Sequence, residues 1–265
     1  KKQDKNALVF VDLLGHSKGS TYFFEQNYLK EHGALPDNPP YELIDPEARN
    51  CKIPLLGFFQ SHDGIPVYQF SNGEYSYTDY DFETLKSIWY ENTRLIAQGY
   101  KNNGDVFGIN AFRDYFAHPV LSGITVDALK AGLGEKTPVW IYFDGNGYAR
   151  PPEMTPQEYI NHVKCQIYTS IIHGATGILF WNDWRKTPEV FDILLPMLKE
   201  LNDNLPIVKL ETKHWKAHDN LHIMIKESKD GKKYFIASNT STTDVLSIDI
   251  PEVNKKELQP LEVYI

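Results

Sequence analysis

Short, unbroken apolar runs alternating with amphipathic helices constrain this chain more than any other feature. Asp105-Val106-Phe107-Gly108-Ile109-Asn110-Ala111-Phe112, Pro138 to Asp144 and Thr176 to Trp181 lack the period-two alternation of a strand with one wet face. Strands of that kind are covered on both faces, as in parallel sheets. Ala7 to Leu14 and Ile53 to Phe59 read in the same way, and Arg94 to Gln98 is a shorter candidate. Between them lie helical patterns. Asp81 to Asn92 spaces Phe82, Leu85, Ile88 and Trp89 on one face. A shorter helix is expected near Val126 to Ala131. Thr155-Pro156-Gln157-Glu158 combines an N-cap Thr, a Pro in the first turn and a Glu at the third position, and so opens a helix that runs to a glycine stop at His173-Gly174. A last amphipathic helix follows from Pro188 to about Asn202. Strand, helix, strand, helix with short connections predicts a parallel α/β architecture.

Two such architectures compete, an open doubly wound sheet and a (β/α)8 barrel. No strand leads into GxGxxG or a Walker loop. Each strand ends instead in polar residues: Asp12, His62 and Asp63, Asn110, Asp144 and Asn146, Asn182 and Asp183. Functional groups gathered at the carboxyl ends of successive strands are what a barrel site requires. The expectation is therefore a (β/α)8-type barrel over residues 1–208. About six strands are legible against the eight of a closed barrel, so either its first part lies outside this chain or strands hide in the proline-containing stretch from Tyr22 to Asn50. After Val208 the pattern changes to period two in Leu221 to Lys226, Lys233 to Ser238 and Val245 to Ile250, and Leu261 to Ile265 could add a strand. Lys229-Asp230-Gly231-Lys232 between two of these runs is a hairpin signal. A small antiparallel, β-sandwich-like domain is expected over 209–265.

Composition narrows the function. A net charge of −8 and pI near 5.6 exclude the basic stripe that a nucleic-acid backbone demands. The apolar run Ile171 to Trp181 is broken by His173, Gly174, Thr176 and Gly177 and falls short of a membrane span. Two cysteines, Cys51 and Cys165, are too few for a disulfide framework, and their pairing does not follow from sequence. The polar start, Lys1 to Asn6, holds no signal peptide; a processed export signal would leave the same trace, and a secreted or periplasmic location is the working expectation. The one sequon, Asn239-Thr240-Ser241, is of a kind that arises by chance. No HExxH, CxxC, EF-hand loop or GxSxG occurs, so no metal, cofactor or serine nucleophile is expected. Oligomeric state is not legible.

Aromatic residues make up 13% of the chain, many beside Asn, Asp and Gly. Most serve cores and loops, but flat rings also pack on the C–H faces of sugars while neighbouring amides and carboxylates take the hydroxyls. Trp181 and Trp184 flank Asn182-Asp183 past the last strand and read either as a stacking platform or as a barrel plug and helix cover. Glycoside cleavage needs two carboxylates across the scissile bond, one protonated and one ionised. Asp144 as nucleophile or base and Asp63 as acid are the candidates; both also read as Asp-Gly turns. Trp181, Trp184, Asn182, Asp183, Asn146, Asn110, His62 and Asp12 are the candidate substrate-binding residues.

Gly174-Ala175-Thr176-Gly177-Ile178-Leu179-Phe180-Trp181, with the Thr155-Pro156-Gln157-Glu158 helix before it and Pro188 to Leu205 after it, resembles the final units of glycoside-hydrolase-like TIM barrels. The similarity is to the β-galactosidase-type retaining clan. It takes in Pro138 to Phe143 as the seventh strand, Asp105 to Phe112 as the sixth, and the β domain, covering Asp81 to Ile265. It implies an oligo- or polysaccharide site at the strand ends, with catalytic glutamates closing the fourth and seventh strands. Here the seventh ends in Asp144 and the candidate fourth in His62-Asp63. Two functions stay open: a glycoside hydrolase, or a carbohydrate-binding barrel without the catalytic glutamate pair.

Overall fold

The computed structural model describes residues 9–11, 55–60, 68–71, 74–77, 81–101, 106–110, 117–147, 150–181, 187–250, 253 and 255–265. The chain is mixed α/β, with a parallel sheet and several antiparallel ones, and it divides into two compact units. One comprises 1–111 and 124–140, the other 112–123 and 141–265.

In the first unit β1 (Val9–Val11) pairs in parallel with β2 (Leu55–Gln60), and β2 in parallel with β5 (Val106–Asn110). The Phe107 N–H of β5 donates to the carbonyl of Pro138, 3.1 Å away, at the start of β6 (Val139–Asp144). Phe107 and Ile109 are buried, as their unbroken apolar run predicts. A hairpin, β3 (Tyr68–Ser71) with β4 (Glu74–Tyr77), precedes the first helix.

Helix α1 (Phe82–Tyr100) starts at Asp81, whose carboxylate accepts from the Thr84 N–H at 2.9 Å and the Thr84 hydroxyl at 2.8 Å. It continues through Arg94 to Gln98, where the sequence suggested a strand. Short apolar runs do not distinguish the two by pattern, and the side chains here follow helical spacing. Leu85, Trp89, Thr93 and Ala97 form one buried stripe. Arg94 pairs with Glu91 one turn back and donates to Gln98 one turn on, at 3.1 Å. The Trp89 indole N–H donates to Thr125 Oγ1 at 2.8 Å, within α2 (Leu121–Leu133). Gly132 of α2 lies so close to Arg94 and Ala97 that no side chain fits between them.

The second unit is built around α3 (Pro156–Ile172), buried along most of its circumference. The predicted capping box is present: Thr155 Oγ1 accepts from the Glu158 N–H, and Glu158 accepts from the Thr155 N–H. The far end of β6 is a sheet neighbour of β7 (Gly177–Trp181), which follows α3. Helix α4 (Pro188–Val208) packs against α3 through the Lys164–Glu200 ion pair and an Asn204-to-Tyr168 hydrogen bond of 3.2 Å.

A four-stranded antiparallel sheet runs β13-β10-β9-β8, with β8 (Glu211–His218), β9 (Leu221–Glu227), β10 (Lys233–Asn239) and β13 (Val263–Tyr264). The Asp230-Gly231 hairpin joins β9 to β10, with Gly231 at φ +83°. β11 (Leu246–Ser247) and β12 (Glu257–Leu258) form a separate pair, much shorter than the run Val245 to Ile250 suggested. Strand β8 was not anticipated. It is polar and almost wholly exposed, so it carries no apolar alternation to read.

The sequon is a structural joint. Asn239 is fully buried, its amide nitrogen donates to the carbonyls of Asp244, Leu258 and Gln259, and its Oδ1 accepts from the Ser241 N–H. No sugar can be attached to that nitrogen in the folded chain. Cys165 is a free, buried thiol lying 3.3 Å from the Asn239 carbonyl, and burial pushes its pKa up to about 12. Cys51 lies outside the described residues.

Candidate functional site

The tips of β6 and β7 meet in the second unit. β6 buries Ile141 and Phe143 and ends in Asp144, which is 3% exposed. The chain then turns through Gly145-Asn146-Gly147. Asp144 Oδ1 accepts from the Asn146 N–H at 2.9 Å, an Asx turn, and Gly147 adopts φ +70°. Beneath the turn the Tyr159 hydroxyl of α3 donates to the Asp144 carbonyl at 2.7 Å. Burial, reinforced by the negative charge of Asp144, holds the Tyr159 phenol far above its ordinary pKa, so it stays a donor.

The Gly145 N–H donates to the Trp181 carbonyl at 2.8 Å, tying the β6 turn to the last residue of β7. Trp181 is 49% exposed, which is unusual for an indole ending a strand whose residues Ile178 to Phe180 are partly covered. Phe180 packs behind it on Phe143, ring centroids 6.3 Å apart. A carboxylate and an accessible ring therefore stand on adjacent strand tips. The exposed ring offers a flat apolar face, while the buried Asp144 carboxylate holds its own turn through Oδ1.

Of the residues expected at the site, Asp144, Asn146 and Trp181 are brought together here, with Asn146 half-buried in the turn. Asn110 closes β5 in the other unit. Asp12, His62, Asp63, Asn182, Asp183 and Trp184 lie outside the described residues. Tyr159 was not expected at the site. Its signal was an aromatic residue in the first turn after the capping box, a position equally suited to core packing.

Among the described residues no group of three or more His, Cys, Asp or Glu could hold a metal ion. No helix among them is long and apolar enough to cross a membrane.

No family model matches the chain, and no curated protein matches it. Solved structures it resembles include the cyclic α-maltosyl-(1→6)-maltose hydrolase from Arthrobacter globiformis in its ligand-free form. That match has 8% identity and a TM-score of 0.26, over 82% of this chain and 75% of that one. The same hydrolase in complex with maltose matches at 10% identity and a TM-score of 0.25, over 82% and 76% respectively. Scores of this size are far below those of chains sharing a fold, so what this chain does must come from its own residues.

Proposed function

We propose that this chain is a carbohydrate-active protein, a glycoside hydrolase of the (β/α)-barrel type acting on an oligo- or polysaccharide. The barrel is assigned to residues 1–208 and a β domain to 209–265. Asp144 acts as nucleophile or base and Asp63 as the acid, with Trp181, Trp184, Asn182, Asp183, Asn146, Asn110, His62 and Asp12 binding sugar. The supporting observation is the pairing of a buried carboxylate with an exposed indole on neighbouring strand tips, linked by the Gly145-to-Trp181 backbone bond. The ring offers a face to sugar C–H groups, and the carboxylate offers its oxygens to hydroxyls or to an anomeric carbon.

A second reading is favoured by one detail. Asp144 Oδ1 is already engaged by the Asn146 N–H, the role of a turn-former. On that reading the chain binds carbohydrate without cleaving it.

Aryl-glycoside hydrolysis by the native chain and its Asp144→Asn and Asp63→Asn variants separates the two. Hydrolysis should be measurable in the native chain and fall by roughly a thousandfold in each variant. Absence of turnover, with sugar binding that weakens about tenfold in Trp181→Ala, selects the binding protein. Absence of both turnover and binding rejects both readings.

A further inference from the structure

A cavity of about 560 Å³ lies in the second unit between α3 and the turn leading into β13. Glu158, Asn161 and His162, one and the same helical face, form one wall; Gln259, Leu261 and Glu262 form the other. Both walls are held before any ligand arrives. On the helix side, Glu158 accepts from the Thr155 N–H and hydroxyl, each at 2.8 Å. On the turn side, Glu262 accepts from the Gln259 N–H at 2.8 Å and pairs with Lys255 at 2.9 Å. The Leu261 N–H donates to the Ser241 carbonyl at 3.1 Å, and Leu261 itself sits at φ +59°, a strained conformation for a branched residue.

The lining chemistry selects its guest. The cation on the wall, Lys164, is already paired with Glu200 at 2.7 Å, while two carboxylates face the space, so an anion is disfavoured. His162 is 7% exposed, and burial pushes its imidazole down to about 4, so it is uncharged at neutral pH. A fully apolar guest would strip water from carboxylates and amides without replacing their hydrogen bonds. Carboxylates and the amides of Asn161 and Gln259, set beside the apolar surfaces of Met154, Pro260 and Leu261, suit a molecule bearing hydroxyls on a carbon ring.

We propose that this cavity is a binding site for a neutral polyhydroxylated small molecule of mono- to disaccharide size, separate from the β6–β7 tips. The proposal does not depend on catalysis at those tips. Calorimetric titration of the full chain with glucose, galactose, lactose and inorganic phosphate tests it. At least one sugar should bind at millimolar concentration to the native chain. Binding should weaken roughly tenfold in the Asn161→Leu/Gln259→Leu double variant, whose side chains are both exposed and whose fold is checked by its unchanged thermal midpoint. Binding of a sugar that stays unchanged in the double variant overturns the proposal. So does binding of phosphate in preference to every sugar, or of none of the sugars.

Discussion

His222 shows how a single residue can set the pH range of the fold. Its Nδ1 lies 2.9 Å from His173 Nε2, and its Nε2 lies 3.2 Å from Thr240 Oγ1. The Thr240 hydroxyl has one hydrogen, and its other neighbours, the carbonyl oxygen and Oδ1 of Asn220, only accept. With the Thr240 hydrogen directed at Asn220, His222 Nε2–H donates to Thr240 Oγ1 and His222 Nδ1 accepts from His173 Nε2–H. Burial, and secondarily the neighbouring His173, push His222 down to about 3 from 6.5. The unfolded chain therefore takes up the proton first as pH falls. Stability from neutral His222 is complete above about pH 6.5 and declines toward pH 3, by ~1.4 kcal/mol per pH unit. His162, held down to about 4, adds to the same loss. Urea midpoints measured from pH 7 to pH 4.5 should drop steadily for the native chain and less steeply for His222→Gln. Parallel slopes would refute the lowered pKa of His222.

At the scale of elements, local signals and close packing make opposite predictions for two helices. The α3 capping box is purely local, and it was fully legible in Thr155-Pro156-Gln157-Glu158. Thr155→Ala should cost about 1 kcal/mol in chemical denaturation, and Thr155→Ser should recover most of it. Gly132 in α2 behaves contrary to propensity. Glycine to alanine inside a helix normally stabilises by about 1 kcal/mol. Here the added Cβ would fall against the Arg94 carbonyl oxygen and 2.7 Å from Ala97 Cβ, where backbone cannot move aside. Gly132→Ala should thus destabilise by about 1–3 kcal/mol, read as a lower thermal midpoint; a raised midpoint would disprove the close approach. Arg94 to Gln98 reads as a strand because its short apolar run is ambiguous alone; in the fold it continues the buried stripe of α1 through Ala97. Strand β8 was illegible for a different reason. It pairs along β9 with nearly every side chain exposed, and backbone pairing leaves no mark on hydrophobic pattern.

For the whole molecule, the sequence by itself determined that Val106 to Ile109 of β5 are buried on both faces, where α3 begins, where β9 turns into β10, and that Asp144 and Trp181 each close an apolar strand, although β7 is only partly covered. Those are consequences of side-chain chemistry acting over a few residues: solvent exclusion along a run, a capping carboxylate, a glycine at positive φ. Tertiary structure alone decided which distant groups meet. Asn239 became a buried joint because one nearby carbonyl, of Asp244, and two remote ones, of Leu258 and Gln259, converge on its amide. Tyr159 became the brace beneath Asp144, and Glu158 with Glu262 came to face one cavity across about a hundred residues of chain. Hydrogen bonds and cavities of that kind depend on how helices and sheets dock. Docking is set by the shapes of many side chains at once, which no local pattern encodes.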